Sequence, residues 1–205
     1  MIQGIDISHW NKVIDFKKVA DQVDFIILKA GGSDKGFYKD KCFEEYYKKF
    51  HDDLHVPVGA YYYVGRLCIS YEDGWKDAER MLDICKGKTF EYPLYIDLES
   101  TSPKHRKGAT EACRGFCDCL ETHGCYAGIY ASDISGFVDR LISAELVKYD
   151  KWVARYGRQP QKVEKYGIWQ FMSTGHIDGI QGNVDMDNCY KNYPYIMKSK
   201  HLNYL

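Results

Sequence analysis

Short apolar segments alternate with amphipathic segments along most of this 205-residue chain. The short apolar segments, several of them with the two-residue alternation of a half-buried strand, predict eight strands. These strands are Ile2–Ile7, Phe25–Ala30, Val56–Tyr63, Leu94–Glu99, Tyr126–Tyr130, Trp152–Arg155, Ile168–Phe171 and Val184–Met186.

Apolar residues with the spacing of a helix face lie between the predicted strands. The predicted helices are Phe16–Val23, Phe43–Phe50, Trp75–Cys85 and Cys113–Leu120, with a weaker one over Asp139–Tyr149. Thr110 is placed to cap the Cys113–Leu120 helix, and Gly124 is placed to end it.

Alternation of strands and helices predicts parallel strands joined by helical crossovers, and eight strands predict a closed barrel. Regular eightfold barrels typically need about 250 residues, so this α/β fold is expected to be a compact, irregular TIM-like β/α barrel. The connections after Arg155 and Phe171 are short and rich in Gly, Pro and Gln, which favours loops or hairpins and some antiparallel late strands. We expect one domain over residues 1–191, followed by a C-terminal tail or the start of a linker over 192–205.

Charge and hydropathy exclude several classes of protein. The chain carries 28 basic and 29 acidic residues, and this balance argues against a nucleic-acid binder. No apolar run approaches the roughly 20 residues that span a bilayer, so we expect no membrane partner. The segment Met1–Asp6 has neither the basic nor the apolar region of a signal peptide.

Four of the eight cysteines cluster in sequence at Cys113, Cys117, Cys119 and Cys125. Their spacing does not match the paired C-x-x-C pattern of zinc sites. Because Cys113 and Cys117 share the apolar face of a predicted helix, we expect buried free thiols and no bound metal or other cofactor.

The candidate chemistry lies in the strand Leu94–Glu99. Side chains alternate between the two faces of a strand, so Asp97 and Glu99 point together into the barrel mouth. Both lie at the carboxyl end of the strand, where the active sites of barrel enzymes are found. Isolated buried charge is costly, so two acids on an inner face require an explanation.

Two further strands end in acids, Asp6 on the first and Asp185 on the last. First and last strands are neighbours in a closed barrel, so the four acids are expected to share one cleft, and at least one pKa should rise. A protonated carboxyl beside an ionised one is the equipment for cleaving a glycosidic bond. Taken alone, Asp6 or Asp185 could instead cap a loop. Lys29, on the inner face of the second strand, is interpreted as a counter-ion, with substrate contact as the alternative.

These segments together resemble glycoside hydrolase family 25, the Chalaropsis-type lysozymes, over nearly the whole chain. Six motifs occur in the family's order. They are Gly4-Ile5-Asp6-Ile7-Ser8-His9-Trp10, Asp97-Leu98-Glu99, Gly128-Ile129-Tyr130, Trp152-Val153-Ala154-Arg155-Tyr156, Trp169-Gln170-Phe171 and Val184-Asp185.

The resemblance implies an N-acetylmuramidase that cleaves the β-1,4 bond between N-acetylmuramic acid and N-acetylglucosamine in bacterial peptidoglycan. It implies five β/α units followed mostly by strands, with Glu99 as general acid and Asp97 orienting the substrate's 2-acetamido group for attack. Asp6 and Asp185 would then be supporting carboxylates. Attack by water with inversion stays open as an alternative route. Such an enzyme acts on the cell wall, outside the cell or after lysis, and we expect a monomer.

The sequence departs from the family pattern at three places. Gly31-Gly32 follows Lys29-Ala30 where Thr-Glu-Gly is common, the strand Ala60–Tyr63 has Tyr where His is common, and Asp187 stands where Asn is usual. None of these changes removes a catalytic carboxylate. Tyr62, Tyr130 and Trp169 are the candidates for sugar contact, with core packing as the alternative for each.

Two other functions remain possible at this stage. One is a catalytically inactive barrel that binds cell-wall glycan. The other is a metal-dependent hydrolase in which Asp6, His9 and the later acids hold an ion, although the sequence contains no H-x-H or HExxH motif.

Overall fold

A computed structural model describes residues 2–205 of the chain, which form a closed barrel with helices outside it. The strands are β1 (Ile2–Ile7), β2 (Lys12–Val13), β3 (Phe25–Gly32), β4 (Tyr38–Lys39), β5 (Val58–Tyr63), β6 (Leu94–Asp97), β7 (Ala127–Ser132), β8 (Asp150–Ala154), β9 (Ile168–Gly175), β10 (Ile180–Gln181) and β11 (Val184–Cys189). The α-helices are α1 (Phe16–Ala20), α2 (Phe43–Tyr47), α3 (Tyr71–Cys85), α4 (Arg106–Thr122) and α5 (Tyr193–Lys200). A π-helix spans Lys48–Asp53, and 3-10 helices span Pro103–His105 and Ser143–Leu146.

The barrel is closed by pairing between β1 and β3. Around the barrel the order is β1, β3, β5, β6, β7, β8, β9, β11 and back to β1. All neighbouring pairs from β1 to β9 are parallel, whereas β11 is antiparallel to both of its neighbours. The predicted compact barrel with an antiparallel late strand is therefore confirmed.

The direction of β11 corrects one expectation about Asp185. We expected this residue at the end of the last strand, but it is the second residue of β11. Because β11 runs against the other strands, its beginning lies at the same mouth as their carboxyl ends. Asp185 pairs directly with Asp6 across the two strands.

Two apolar layers account for the strand composition, because each barrel strand is covered on both faces. In β6, Leu94 and Ile96 pack outward against the helices, and Leu98 just after the strand does the same. Tyr95 points inward and packs with Phe25 in the barrel interior. The predicted outward side of Leu94, Ile96 and Leu98 and the predicted inward side of Tyr95 are thus confirmed, although the strand ends at Asp97 and not at Glu99.

Two helix predictions were wrong because tertiary hydrogen bonds compete with local signals. Thr110 does not cap α4, which begins at Arg106. Its Oγ1 donates to the carbonyl of Arg106 at 2.8 Å and accepts from the Ile142 N–H at 2.9 Å. That second bond uses an N–H in the segment 139–149, where only a 3-10 helix forms instead of the predicted α-helix. Gly124 follows the end of α4 with a φ of 75°, as the sequence predicted.

The C-terminal segment closes the barrel end opposite the mouth. Tyr193 and Met197 of α5 belong to the buried cluster that fills the barrel interior. Asn203 is buried and joins the segments that lead into β6 and β7. Its Nδ2 donates to the Phe90 and Tyr92 carbonyls at 3.2 and 2.9 Å, and its Oδ1 accepts from the Tyr126 N–H at 2.8 Å. The expected boundary after residue 191 lies just before a helix that packs against the barrel.

The four clustered cysteines are all buried and carry free thiols, as expected from their place on the apolar face of α4 and beside it. Burial raises the pKa of the Cys113 thiol and keeps it neutral. Within residues 2–205, no helix combines the length and apolarity needed to cross a bilayer.

The close packing of α3 on α4 gives a test of the fold. A Cβ added to Gly115 would lie 2.0 Å from the Tyr71 carbonyl oxygen, so the two helices would have to separate. We expect Gly115→Ala to lower the free energy of unfolding by about 1–3 kcal/mol, whereas an exposed helical Gly→Ala would raise it by about 1 kcal/mol. Lys107→Ala, at an exposed position of α4, is the control. Urea unfolding measures both variants, and a Gly115→Ala protein as stable as the unsubstituted protein would contradict this packing.

Candidate active site

One pocket at the barrel mouth brings together the four acids that the sequence singled out. Its volume is about 160 Å³. Asp6 comes from β1, Asp97 ends β6, Glu99 follows β6 by two residues, and Asp185 comes from β11. The lining comprises these four residues and Ser8, Trp10, Lys29, Tyr61, Tyr63, Tyr130, Trp152 and Gln170.

Burial and mutual repulsion raise the pKa values of these carboxyls. The pKa of Asp6 lies well above its ordinary value, because the side chain is buried and Asp185 is close, although the hydrogen bond from Gln170 opposes the shift. The pKa of Asp97 is raised by burial and by Glu99, with Lys29 opposing. Burial and then Glu99 raise the pKa of Asp185 to about 6. The pocket therefore retains carboxyl protons that these groups would lose in water.

Glu99 differs from the other three acids in its access to solvent. It stands at the rim of the pocket and is solvent-exposed, although protein atoms surround much of its side chain. Burial among these atoms raises the pKa of Glu99, while the nearby Tyr130 hydroxyl and the charges of Arg140 and Lys29 act against the rise. Because water reaches Glu99, screening makes this shift weaker than those of the buried acids.

A hydrogen-bond network beneath the acids includes Gln170 and Asp187, whose roles the sequence did not indicate. Gln170 Nε2 donates to Asp6 Oδ2 at 2.7 Å, and Tyr130 and Tyr156 donate their hydroxyls to Gln170 Oε1 at 2.8 and 3.0 Å. Asp187 Oδ1 accepts from the Trp152 indole N–H at 2.7 Å. Strand alternation gave a signal for Asp187, which lies on the same face of β11 as Asp185.

Lys29 is caged by aromatic rings. It is 9% exposed, and its Nζ lies 4.6 Å from the ring centroid of Tyr63, 5.7 Å from Tyr38 and 5.9 Å from Tyr61. Cation–π attraction stabilises the ammonium there. Its charge lowers the pKa values of Asp97 and Glu99, which is what a counter-ion does.

Two of the three aromatic residues expected to contact sugar lie outside the pocket. Tyr62 is 0% exposed and faces the helices, with its ring 6.3 Å from that of Phe116. Trp169 lies on the outer face of β9, where its indole donates to the Arg155 carbonyl at 2.7 Å. Only Tyr130 lines the pocket.

The residues beside Tyr62 line the pocket in its place. Tyr61 and Tyr63 point inward on β5, with the same alternation that turns Tyr62 outward. Counting alternate positions back from the carboxyl end of the strand would have identified both tyrosines.

No cluster of three or more His, Cys, Asp or Glu side chains within residues 2–205 has the geometry to hold a metal ion. His9, which the metal-dependent alternative required, is instead paired with Asp40, its Nδ1 lying 2.5 Å from the carboxylate oxygen.

Comparisons with known proteins identify one family to which the sequence is similar. The model of the family described as glycosyl hydrolases family 25 matches residues 5–180. The autolytic lysozyme of Clostridium acetobutylicum is 23% identical over 188 residues, which cover 91% of this chain and 55% of that protein. The chain thus spans little more than half the length of this relative.

Solved structures share the fold. The CTP1L endolysin superposes with a TM-score of 0.82 at 24% identity, covering 97% of this chain and 70% of the endolysin. The modular autolysin LytC of Streptococcus pneumoniae, solved with a synthetic peptidoglycan ligand, gives a TM-score of 0.79 at 26% identity, covering 92% of this chain and 46% of LytC.

The raised pKa of Asp185 predicts how stability depends on pH. The unfolded chain ionises this carboxyl near its ordinary pKa of 3.8, but the folded protein holds the proton up to about 6, so stability is lost as pH rises through this window. Asp185→Asn cannot ionise. We expect the variant to match the unsubstituted protein below the window and to be more stable above it by on the order of 1 kcal/mol, a value reduced for solvent screening. Urea unfolding at several pH values tests this, and a variant that is less stable at alkaline pH would contradict it.

Proposed function

This chain belongs to glycosyl hydrolases family 25, and we propose that it hydrolyses the β-1,4 bond between N-acetylmuramic acid and N-acetylglucosamine in bacterial peptidoglycan. The observation that carries the proposal is one pocket in which buried carboxyls with raised pKa values surround a carboxyl that substrate can reach. Such an arrangement supplies a proton to a leaving oxygen and stabilises the positive charge that develops on the sugar.

Glu99 is the general acid in this proposal. It is the most solvent-accessible of the four acids, so it can approach the glycosidic oxygen of a polymer lying across the mouth. Its raised pKa favours the protonated form that this role requires. Asp6 and Asp185 are the supporting carboxyls beside Glu99 in this proposal, and the charge of Glu99 contributes to the raised pKa of each.

Asp97 orients the substrate in this proposal. Its Oδ1 is buried, and no group within residues 2–205 donates a hydrogen bond to it. The N–H of a 2-acetamido group would satisfy that oxygen. The acetamido carbonyl oxygen then bonds to the anomeric carbon as the glycosidic bond breaks and its oxygen takes the Glu99 proton. Water next opens this cyclic intermediate and returns a proton to Glu99. Direct attack by water, with inversion, is the alternative, and the anomer first released distinguishes the two routes.

The shape of the mouth supports a polymeric substrate. The pocket adjoins a second cavity of about 630 Å³, and the two share Trp10, Lys29 and Tyr63 in their linings. Trp10 is 78% exposed at this junction, and its indole offers a flat apolar face on which a sugar ring can stack. All of these groups come from one chain, so a monomer acting on the cell wall suffices.

Product analysis tests the proposal. Purified peptidoglycan is digested and reduced with borohydride, and the fragments are identified by mass spectrometry. We expect new reducing ends on muramic acid. Reducing ends on glucosamine or freed stem peptides would contradict the proposed bond specificity. Binding to peptidoglycan without cleavage would favour the inactive glycan-binding barrel.

Substitution of the proposed acid tests its role. Glu99→Gln keeps the side-chain shape but has no acidic proton to donate, so we expect the rate of wall-suspension clearing to fall by roughly 10²–10⁴-fold with the melting temperature unchanged. Glu45→Gln, at an exposed position of α2, is the matched control and should retain full activity. A Glu99→Gln protein with near-normal activity would show that another group supplies the proton.

A further inference from the structure

Asp187 is a fifth acid of the barrel and lies beneath the four that line the pocket. It is 0% exposed. On β11 it stands two residues after Asp185, on the same inward face, and it pairs in register with Gly4 of β1 while Asp185 pairs with Asp6. Substrate at the mouth therefore does not touch Asp187, and any effect on the reaction must pass through its neighbours.

The hydrogen bonds of Asp187 show that it lacks the donors that an ionised carboxylate needs. Oδ1 accepts from the Trp152 indole at 2.7 Å. Oδ2 is shielded from solvent, and no N–H or O–H group within the described residues donates to it. Asp6 lies on the neighbouring strand β1, two residues from Gly4, the register partner of Asp187, and the two carboxyls shift each other's pKa values. Two ionised carboxylates can only accept hydrogen bonds, so a hydrogen bond between them requires a proton on one.

The surroundings place that proton on Asp187. Each of the two carboxyls accepts one hydrogen bond, Asp6 from Gln170 and Asp187 from Trp152. Asp6, however, is 6% exposed and lines the pocket, whereas Asp187 is 0% exposed and its Oδ2 has no donor within the described residues. The titratable groups that interact with Asp187 include Asp6 on β1 and, on its own strand, Asp185 and the buried Cys189, while Trp152 on β8 and Gln170 on β9 are neutral. Burial and then Asp6 raise the pKa of Asp187, with Asp185 adding to the rise and the Trp152 hydrogen bond opposing it.

We propose that Asp187 is a positioning residue that keeps its proton in the working enzyme and donates a hydrogen bond to Asp6, as an asparagine side chain would. With donors from Asp187 and Gln170, the Asp6 carboxyl keeps its orientation toward Asp185 and the pocket. The kinetic consequence rests on the proposed function, but the protonation state does not. The side chain acts through Asp6 and makes no contact with the reacting atoms.

Asp187→Asn is the decisive variant, because an amide can accept from Trp152 and donate to Asp6 but cannot ionise. We expect its kcat/KM on peptidoglycan at neutral pH to stay within about threefold of that of the unsubstituted enzyme. We also expect its activity and stability to persist to a higher pH than those of the unsubstituted enzyme, because the amide cannot ionise. Asp187→Leu removes the donor and should lower kcat by roughly 10–100-fold. Asp83→Asn, at an exposed position of α3, is the control for the Asp-to-Asn change and should leave the pH profile unaltered.

Infrared difference spectroscopy reads the proton directly on folded, substrate-free protein. The spectrum of the unsubstituted protein minus that of Asp187→Asn should contain the C=O stretch of a neutral carboxylic acid at neutral pH. A carboxylate band in its place would overturn the inference, as would an Asp187→Asn enzyme as impaired as Asp187→Leu. If the acid band is present but no form cleaves peptidoglycan, the proposed function fails and the protonated Asp187 stands. The infrared and Asp187→Asn results decide the question even if Asp187→Leu does not fold.

Discussion

The fold must accommodate several carboxyl groups inside a barrel, and among the described residues that line its pocket one is a cation. Lys29 is that cation, and aromatic rings surround it. Charge that neither water nor a partner stabilises is removed by binding protons, so the carboxyls retain protons that they would otherwise lose. This constraint connects the fold to the proposed chemistry, because glycosidic cleavage needs a proton held near neutral pH beside negative charge.

The antiparallel strand β11 makes this crowding possible. It brings Asp185 to the mouth opposite Asp6 and places Asp187 one layer deeper, against Trp152. Asp6 and Asp185 belong to the layer at the mouth, and Gln170 in the layer beneath holds Asp6 in place by a hydrogen bond. A network of this kind gives a stable orientation only if each of its polar atoms has a partner. That requirement explains how the proposed proton on Asp187, which does not touch substrate, affects Asp6, which lines the pocket.

Sequence patterns predicted the parts of the site that local geometry determines. Strand alternation placed Asp97 and Glu99 on one face, and barrel closure brought the first strand beside the last. Local patterns did not predict the direction of β11, which depends on pairing with β1 and β9. Strand alternation requires that Tyr62 face the opposite side from Tyr61 and Tyr63. With three tyrosines in a row, residue type alone did not show which of them point inward. Thr110 carries a capping signal, yet a hydrogen bond from a distant loop fixes it within a helix.

The most direct test of the account is a titration of the side-chain carboxyls of Asp6, Asp97, Glu99 and Asp185 in the folded, substrate-free protein, followed by carboxyl carbon-13 NMR and assigned by single substitutions. We expect Asp185 to titrate near pH 6 and the other three carboxyls to keep their protons above their ordinary pKa values. Four separate titrations at the ordinary values of exposed carboxyls would show that the acids do not share a low-dielectric pocket, and the account would be wrong.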